Sequence, residues 1–556
     1  MPRETPLTSA TLAAGVALAL TPIAWRLLHR KRTPLNSLPN VPGPNDGSFI
    51  AGHMSLLFSN DSWDYHRDLC ENYGQTCRVK GLFGEDFLYT FDPKAMHHIF
   101  VKASAMSNLI STASPYRPMA FQDQYIYEEA SFFTANGHVF FGPGLLSVTG
   151  DHHKKQRKML NPVFSVAHLR HMVPTFFKIG EQLRSTFLAK VSNGDQEIEI
   201  VSWMTRIALE IFGQSGFGTS FAPVTEDSPE HPYASSVKNL TALMTVTALP
   251  RMFILPPVQK YNIGGRWLQR KIIDILPWKL GHQLRDIVDM MHETSSNVFE
   301  SKRKAMSEEG DSSGEDQKKD ILGILMRENS KSSEADKLPD EEVIAQMSTL
   351  MFAAMDTTSS ALARILHLLA LHQNVQDKLR AELRDAHENF GAQPDHDDLV
   401  NLPYLDAVCR ETLRLYPPVA TITRETQADV FLPLSKPMKG IDETEMSEVF
   451  LPKNSNVFIS IRASNTDPNS VNDAHVPGVY SHLMTFIGGG RSCIGFKFSQ
   501  LEMKVILYSL IKQFRFSPPK EKIYWQMTFI ASPTVDPELK DLRPRMPLTV
   551  SLVDDA

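Results

Sequence analysis

The chain has 556 residues, with 57 Lys plus Arg against 63 Asp plus Glu and a formal net charge of −6. That balance lacks the basic excess of a nucleic-acid footprint. A hydrophobic share of 42% beside 22% charged residues excludes bulk disorder and a many-span membrane protein. Four cysteines in this length exclude a disulfide scaffold, so each thiol is judged by its neighbours.

In chain order, Leu7 to Leu28 is the stretch that resembles a membrane span. It lies near the lower end of the roughly 17–25 residues such a helix needs. His29, Arg30, Lys31 and Arg32 follow it. A basic cluster after the apolar run, not before it, argues against a cleaved signal peptide and puts the rest of the chain in the cytosol. Leu38 to Pro44 (LPNVPGP) holds three prolines and reads as an extended spacer. The expected division is therefore 1–32 as membrane anchor with its basic flank, 33–45 as Pro-rich linker, and 46–556 as the globular body.

The body reads as mainly helical with a small β component. Apolar residues recur three and four apart over Leu160 to Leu188, Ser202 to Phe217, Glu341 to Leu369, Val375 to Phe390, Leu402 to Leu415 and Gln500 to Phe514. Strand-like runs are short: Cys77 to Leu82, Phe87 to Phe91, Val457 to Ile461 and Met546 to Leu552. Glu308 to Lys319 has the composition of a surface loop.

Cys493 stands out within Phe486-Ile487-Gly488-Gly489-Gly490-Arg491-Ser492-Cys493-Ile494-Gly495. The glycines suggest a tight loop using positive φ. Its backbone N–H groups, and the start of the helix that follows, would favour a thiolate. With no second ligand nearby, a lone thiolate serves as a nucleophile or as a single axial ligand. Arg491 can clamp a carboxylate in bidentate fashion. Cys70, Cys77 and Cys409 read as structural cysteines.

At every fixed position, Phe486, Gly489, Arg491, Cys493 and Gly495 match the pattern FxxGxRxCxG, which resembles the haem-binding signature of the cytochrome P450 family. Further segments resemble the family's motifs. Glu411-Thr412-Leu413-Arg414 is similar to its ExxR pair, expected here to be buried and structural. Ala353-Ala354-Met355-Asp356-Thr357-Thr358 is similar to its [A/G]GxDT segment, with Asp356 as proton relay and Thr357 holding water and oxygen. Gly150 to Ser165 resembles the C helix of membrane-bound, notably fungal, members. There Arg157 aligns with a propionate-binding arginine and His153 takes the place of the usual tryptophan. Arg424 resembles a further propionate contact.

The resemblance implies the cytochrome P450 fold and haem b ligated by Cys493. It implies monooxygenase action on a lipophilic small molecule and electrons from an NADPH-cytochrome P450 reductase. The location it implies is the endoplasmic reticulum membrane, with the catalytic domain cytosolic. By position, Phe352, Ala353, Val419 to Ile422 and Phe529-Ile530 would line the pocket. Two departures stand out. Asn465-Thr466-Asp467-Pro468 runs into Asn469 to His482 without the family's PxRF/W arginine, so the Glu411–Arg414 pair lacks its third member. Ala103 to Gln122 looks like extra sequence. A haem-deficient, non-catalytic member is the alternative this gap raises. A rearranging or dehydrating member is disfavoured, because Asp356 and Thr357 are both kept.

Overall fold

The computed structural model describes residues 37–102, 126–262, 265–309, 320–334, 336–468, 478, 483–541 and 543–553. The expected anchor, the Ala103 to Gln122 segment, and most of Glu308 to Lys319 and of Asn469 to His482 lie outside the described residues. Among the described residues, no single helix is long and apolar enough to cross a membrane.

The axis of the molecule is the 32-residue helix Asp340–Leu371. Asp340, Glu341 and Glu342 occupy its first turn, where carboxylates favour a helix N-terminus. Nearly every later residue is buried, polar ones such as Gln346, Asp356 and Arg364 included, so the helix runs through the interior on all sides. It packs against Ile200–Phe212, and the helix Phe496–Ile511 packs against Val166–Val191. Gly180 permits that second approach: a Cβ there would stand 2.8 Å from Ser509 Oγ. Phe498 joins the layers, with its ring centroid 5.0 Å from that of Phe176 and 5.6 Å from that of Phe212.

The β component is larger than the strand-like runs imply. A five-stranded sheet pairs Thr76–Lys80 with Asp86–Thr90, then Asn456–Ser460, Thr421–Thr426 and Tyr127–Glu129. Only the contact between Asp86–Thr90 and Asn456–Ser460 is parallel. Its last pairing sets Glu129 opposite Arg424. A three-stranded sheet joins Gln196–Glu199, Pro547–Leu552 and Phe514–Ser517. Two hairpins complete the set, Val430–Lys439 with Glu445–Leu451, and Tyr524–Gln526 with Ser532–Thr534. The strand Val430–Lys439 is hard to read from sequence because Pro433 and Pro437 interrupt it, and its register shifts between Pro433 and Met438.

His66 illustrates how the interior treats charge. It is 6% exposed, accepts from the Tyr89 hydroxyl at 2.9 Å through Nδ1, and donates from Nε2 to the Leu57 carbonyl at 3.3 Å. Burial, the dominant cause, pulls its pKa down to about 4. The folded value lies below the unfolded one, so this contribution is present above about pH 6.5 and is lost as pH falls toward 4. Its slope is at most about 1.4 kcal/mol per pH unit. His66→Gln, which keeps a donor and an acceptor but cannot titrate, should flatten the stability–pH curve in that window; denaturant unfolding at several pH values measures it.

Candidate functional site: a reachable thiol beneath three guanidinium groups

The Cys493 loop is shaped mainly by its backbone. The Cys493 N–H donates to the Phe486 carbonyl at 2.8 Å, and the Ser492 N–H donates to the Gly489 carbonyl at 3.1 Å. Positive φ occurs at Gly489 (67°) and at Ile487 (58°), whereas Gly488 and Gly495 have φ of −131° and −85°. The expected use of positive φ thus falls on one of these glycines and on a β-branched residue. Gly489 has no alternative, since a Cβ there would sit 2.0 Å from the Phe100 carbonyl oxygen. Gly490 and Gly495 are different: a Cβ on either would meet no atom within 4 Å. Phe486 and Phe496 pack ring to ring at 4.9 Å across the base of the loop.

Cys493 is exposed, and its neighbours Ser492, Ile494 and Gly495 are partly buried. Burial pushes its thiol above the ordinary value, while a hydrogen bond from the Gly495 backbone and the charge of Arg157 pull it down. The expectation that the loop alone favours a thiolate is therefore corrected. One N–H and one guanidinium do not outweigh desolvation; a coordinated metal cation does, deprotonating a thiol outright. The other cysteines behave as read. Cys77 and Cys409 are buried, and burial raises all three thiols, Cys70 to about 11 and Cys409 to about 12.

Four of the expected residues converge beside this loop. His153 and Arg157 come from the helix Gly150–Leu160, whose inward face is His153, Gln156 and Leu160. Arg157 donates from Nη1 to the Ser492 carbonyl at 2.6 Å and from Nη2 to Ser492 Oγ at 3.0 Å. Arg491 bonds Glu128 at 2.8 Å and the Val148 carbonyl at 3.0 Å. Arg424 is 2% exposed and bonds Glu129 at 2.7 Å, and its buried Nη2 has no partner. Burial, then Arg491, Arg157 and Arg424, pull His153 down to about 3, so it is neutral. Three guanidinium groups and a neutral imidazole, with one buried donor unspent and open space above Gly490 and Gly495, fit a planar dicarboxylate macrocycle with a thiolate axial ligand. These residues therefore fit haem.

Along the long helix, Ala353, Ala354 and Thr357 are partly exposed while their neighbours are buried, so one face opens inward. Thr357 Oγ1 donates to the Ala353 carbonyl at 2.7 Å. Asp356 points elsewhere. It is 2% exposed and ion-paired with Lys238 of the helix Pro232–Val246, whose Nζ also bonds Ser359 Oγ at 2.8 Å. An aromatic cluster is built on Phe352, next to Ala353 on this helix. Phe352 stands 4.8 Å from Phe141 and 6.5 Å from Phe529, and Phe133 stands 6.3 Å from Phe529, centroid to centroid. Val419, Thr421 and Ile422 are also partly exposed, whereas Ala420 and Ile530 are buried.

Glu411 and Arg414 pair at 2.7 and 2.8 Å, and the guanidinium holds the carboxyl below its usual range. The expected burial is corrected: the Glu411 side chain is 57% exposed, because it lies on the outward face of the helix Pro403–Leu415. The place of the missing arginine is taken by backbone and amide. Arg414 Nη1 donates to the Asn465 carbonyl at 3.1 Å, Asn465 Nδ2 donates to Thr485 Oγ1 at 2.8 Å, and Asn465 Oδ1 accepts the Met484 N–H at 2.8 Å. Thr485 Oγ1 then donates to the Leu413 carbonyl at 2.8 Å.

Sequence reasoning missed Glu128, Glu129, Lys238, Phe133, Phe141, Asn465 and Thr485. Lys238 alone carried a signal, as the one charged residue of its helix.

The model of the family described as Cytochrome P450 matches residues 41–539. Cytochrome P450 monooxygenase 91 of Postia placenta is 41% identical over 539 residues, covering 93% of this chain and 94% of the relative. Cytochrome P450 monooxygenase 81 of the same fungus is 40% identical, covering 94% of each. Ganoderic acid synthetase CYP5150L8 of Ganoderma lucidum is 39% identical, covering 95% of this chain and 96% of the relative.

Gly489→Ala should cost about 1–3 kcal/mol in backbone strain alone, before the contact with the Phe100 oxygen is counted. The expected outcome is a large loss of pigment retained per polypeptide, read as Soret absorbance against protein absorbance after purification.

Proposed function

The chain belongs to the cytochrome P450 family and is a monooxygenase that uses haem; on that premise we propose that it inserts one oxygen atom from O2 into a lipophilic small molecule, with Cys493 as the axial ligand. The observation that carries this reading is the reachable Cys493 sulfur in a loop with open space above Gly490 and Gly495, next to three guanidinium groups. Haem held there would supply the reductive activation of O2. Arg157, Arg491 and Arg424 would bind its propionates, and neutral His153 would donate a further hydrogen bond.

The chain's own contribution is positioning, water exclusion and proton supply. The cluster formed by Phe133, Phe141, Phe352 and Phe529 favours an apolar substrate and would hold it near Thr357. The Thr357 hydroxyl would turn from the Ala353 carbonyl to orient a water molecule. Asp356 would pass protons inward at its carboxylate oxygens, with Lys238 holding the anion until then.

Electrons would arrive from an NADPH-cytochrome P450 reductase. Lys154 and Lys158 are exposed on the helix that carries His153 and Arg157 inward, a placement suited to an acidic partner. We place the protein at the endoplasmic reticulum membrane, single-pass, with the body cytosolic. The basic flank after the N-terminal apolar run supports this. So does the helix Gly265–Ile275, which buries no residue and exposes Trp267 and Ile275. Since one relative is named a ganoderic acid synthetase, a role in secondary metabolism is proposed as well. The haem-deficient alternative is weakened by Asn465 and Thr485, which brace Arg414 and the loop without the missing arginine.

Reduced, CO-bound protein should show the red-shifted Soret band of a haem thiolate. Cys493→Ser should abolish it while leaving the polypeptide expressed; an unchanged spectrum would remove Cys493 from its role. Thr357→Ala should keep the spectrum but lower product per NADPH several-fold, with the difference appearing as peroxide. Fully coupled turnover in that variant, with a reconstituted reductase, would count against Thr357.

A further inference from the structure

Two turns beyond Thr357 on the long helix, Arg364 is 9% exposed and stands between two rings. Its guanidinium carbon is 3.4 Å from the ring centroid of Trp525 and 4.3 Å from that of Tyr416. Its Nε is buried with no hydrogen-bond partner. Arg462 is only partly buried, but it lies 5.2 Å over the ring of Trp63 and its buried Nε has no partner either. The two cations are close enough to repel each other. Among the described residues, no carboxylate is ion-paired with Arg364 or Arg462. His367, one turn on, accepts the Trp525 indole N–H through Nδ1 at 3.1 Å, which places its ring proton on Nε2 as a donor. Burial, then Arg364, hold His367 down to about 4, so it is neutral and offsets no charge.

Aromatic faces cover a guanidinium but accept nothing in the plane of its five N–H groups. A buried cation without an opposite charge is costly, and arginine does not escape by losing its proton. We propose that Arg364 and Arg462 form an internal site for a small monovalent anion, received edge-on by the guanidinium donors between Trp525, Tyr416 and Trp63. The inference stands apart from the monooxygenase reading. Its position nevertheless gives it a route to the pocket, since Trp525 belongs to the hairpin whose turn carries Phe529. The Trp525 carbonyl also accepts the Trp63 indole N–H at 2.8 Å.

The test uses the full chain, loaded with haem, at constant ionic strength. Thermal unfolding is compared in chloride and in bulky gluconate. Chloride at a hundredfold over its dissociation constant should raise the midpoint by about 2–4 °C, and bromide and formate should do the same. Arg364→Leu and Arg462→Gln should each remove most of that increment. Equal midpoints in chloride and gluconate would mean that water alone fills the site and would overturn the proposal. So would an increment that survives in both variants. Should Arg364→Leu fail to fold, chlorine-35 resonance on the unaltered protein decides. Excess line broadening relieved by bromide supports the site, and its absence overturns it.

Discussion

A 2.8 Å hydrogen bond from the Cys493 N–H to the Phe486 carbonyl closes the loop on which the rest of the site depends. Such a bond needs the chain to reverse within a few residues, which forces the two positive φ values at Ile487 and Gly489. It also draws the loop against the Phe100 carbonyl, where only glycine fits. The sulfur is therefore aimed by main-chain geometry, and the surrounding side chains act on its charge more than on its place.

Charge around the sulfur is arranged as a balance. Glu128 and Glu129 answer Arg491 and Arg424 from one short strand, and the Glu129–Arg424 pair lies directly opposite in the sheet register. This lets one buried and one partly buried guanidinium group exist before any anionic ligand arrives, while one Arg424 donor stays unspent. The same economy appears farther up the long helix, where Lys238 holds the buried Asp356. Glu128–Arg491, Glu129–Arg424 and Asp356–Lys238 are each paired across elements, so each pair also fixes the spacing of the pieces it joins.

Much of this was legible in the residues. The long helix, the helix after Cys493 and the four short strands appear close to their expected places, because apolar period and turn residues dominate there. Gln500 to Phe514 begins four residues late and ends past the helix, since Phe496 to Ser499 carry no clear period and Phe514 joins a strand. The motif residues His153, Arg157, Arg491 and Arg424 do gather. Their acid partners could not be read, because Glu128 and Glu129 gain meaning only once a sheet brings them to Arg424. Asn465 was hidden for a related reason: it supports Arg414 through its own carbonyl, and a backbone acceptor leaves no mark on residue type. The exposure of Glu411 was equally invisible, since apolar neighbours in sequence need not cover a side chain in space.

Phe486 and Ile487 are adjacent, yet they pack into different cores. Phe486 joins the large helical cluster, and Ile487 joins the cluster built on the five-stranded sheet. The positive φ of Ile487 sends consecutive side chains to opposite sides and puts the cysteine loop astride the seam. A loosening of one cluster against the other would therefore act on the loop that carries the sulfur. A chromophore held there would report on the contact between the two clusters as well as on its own ligand.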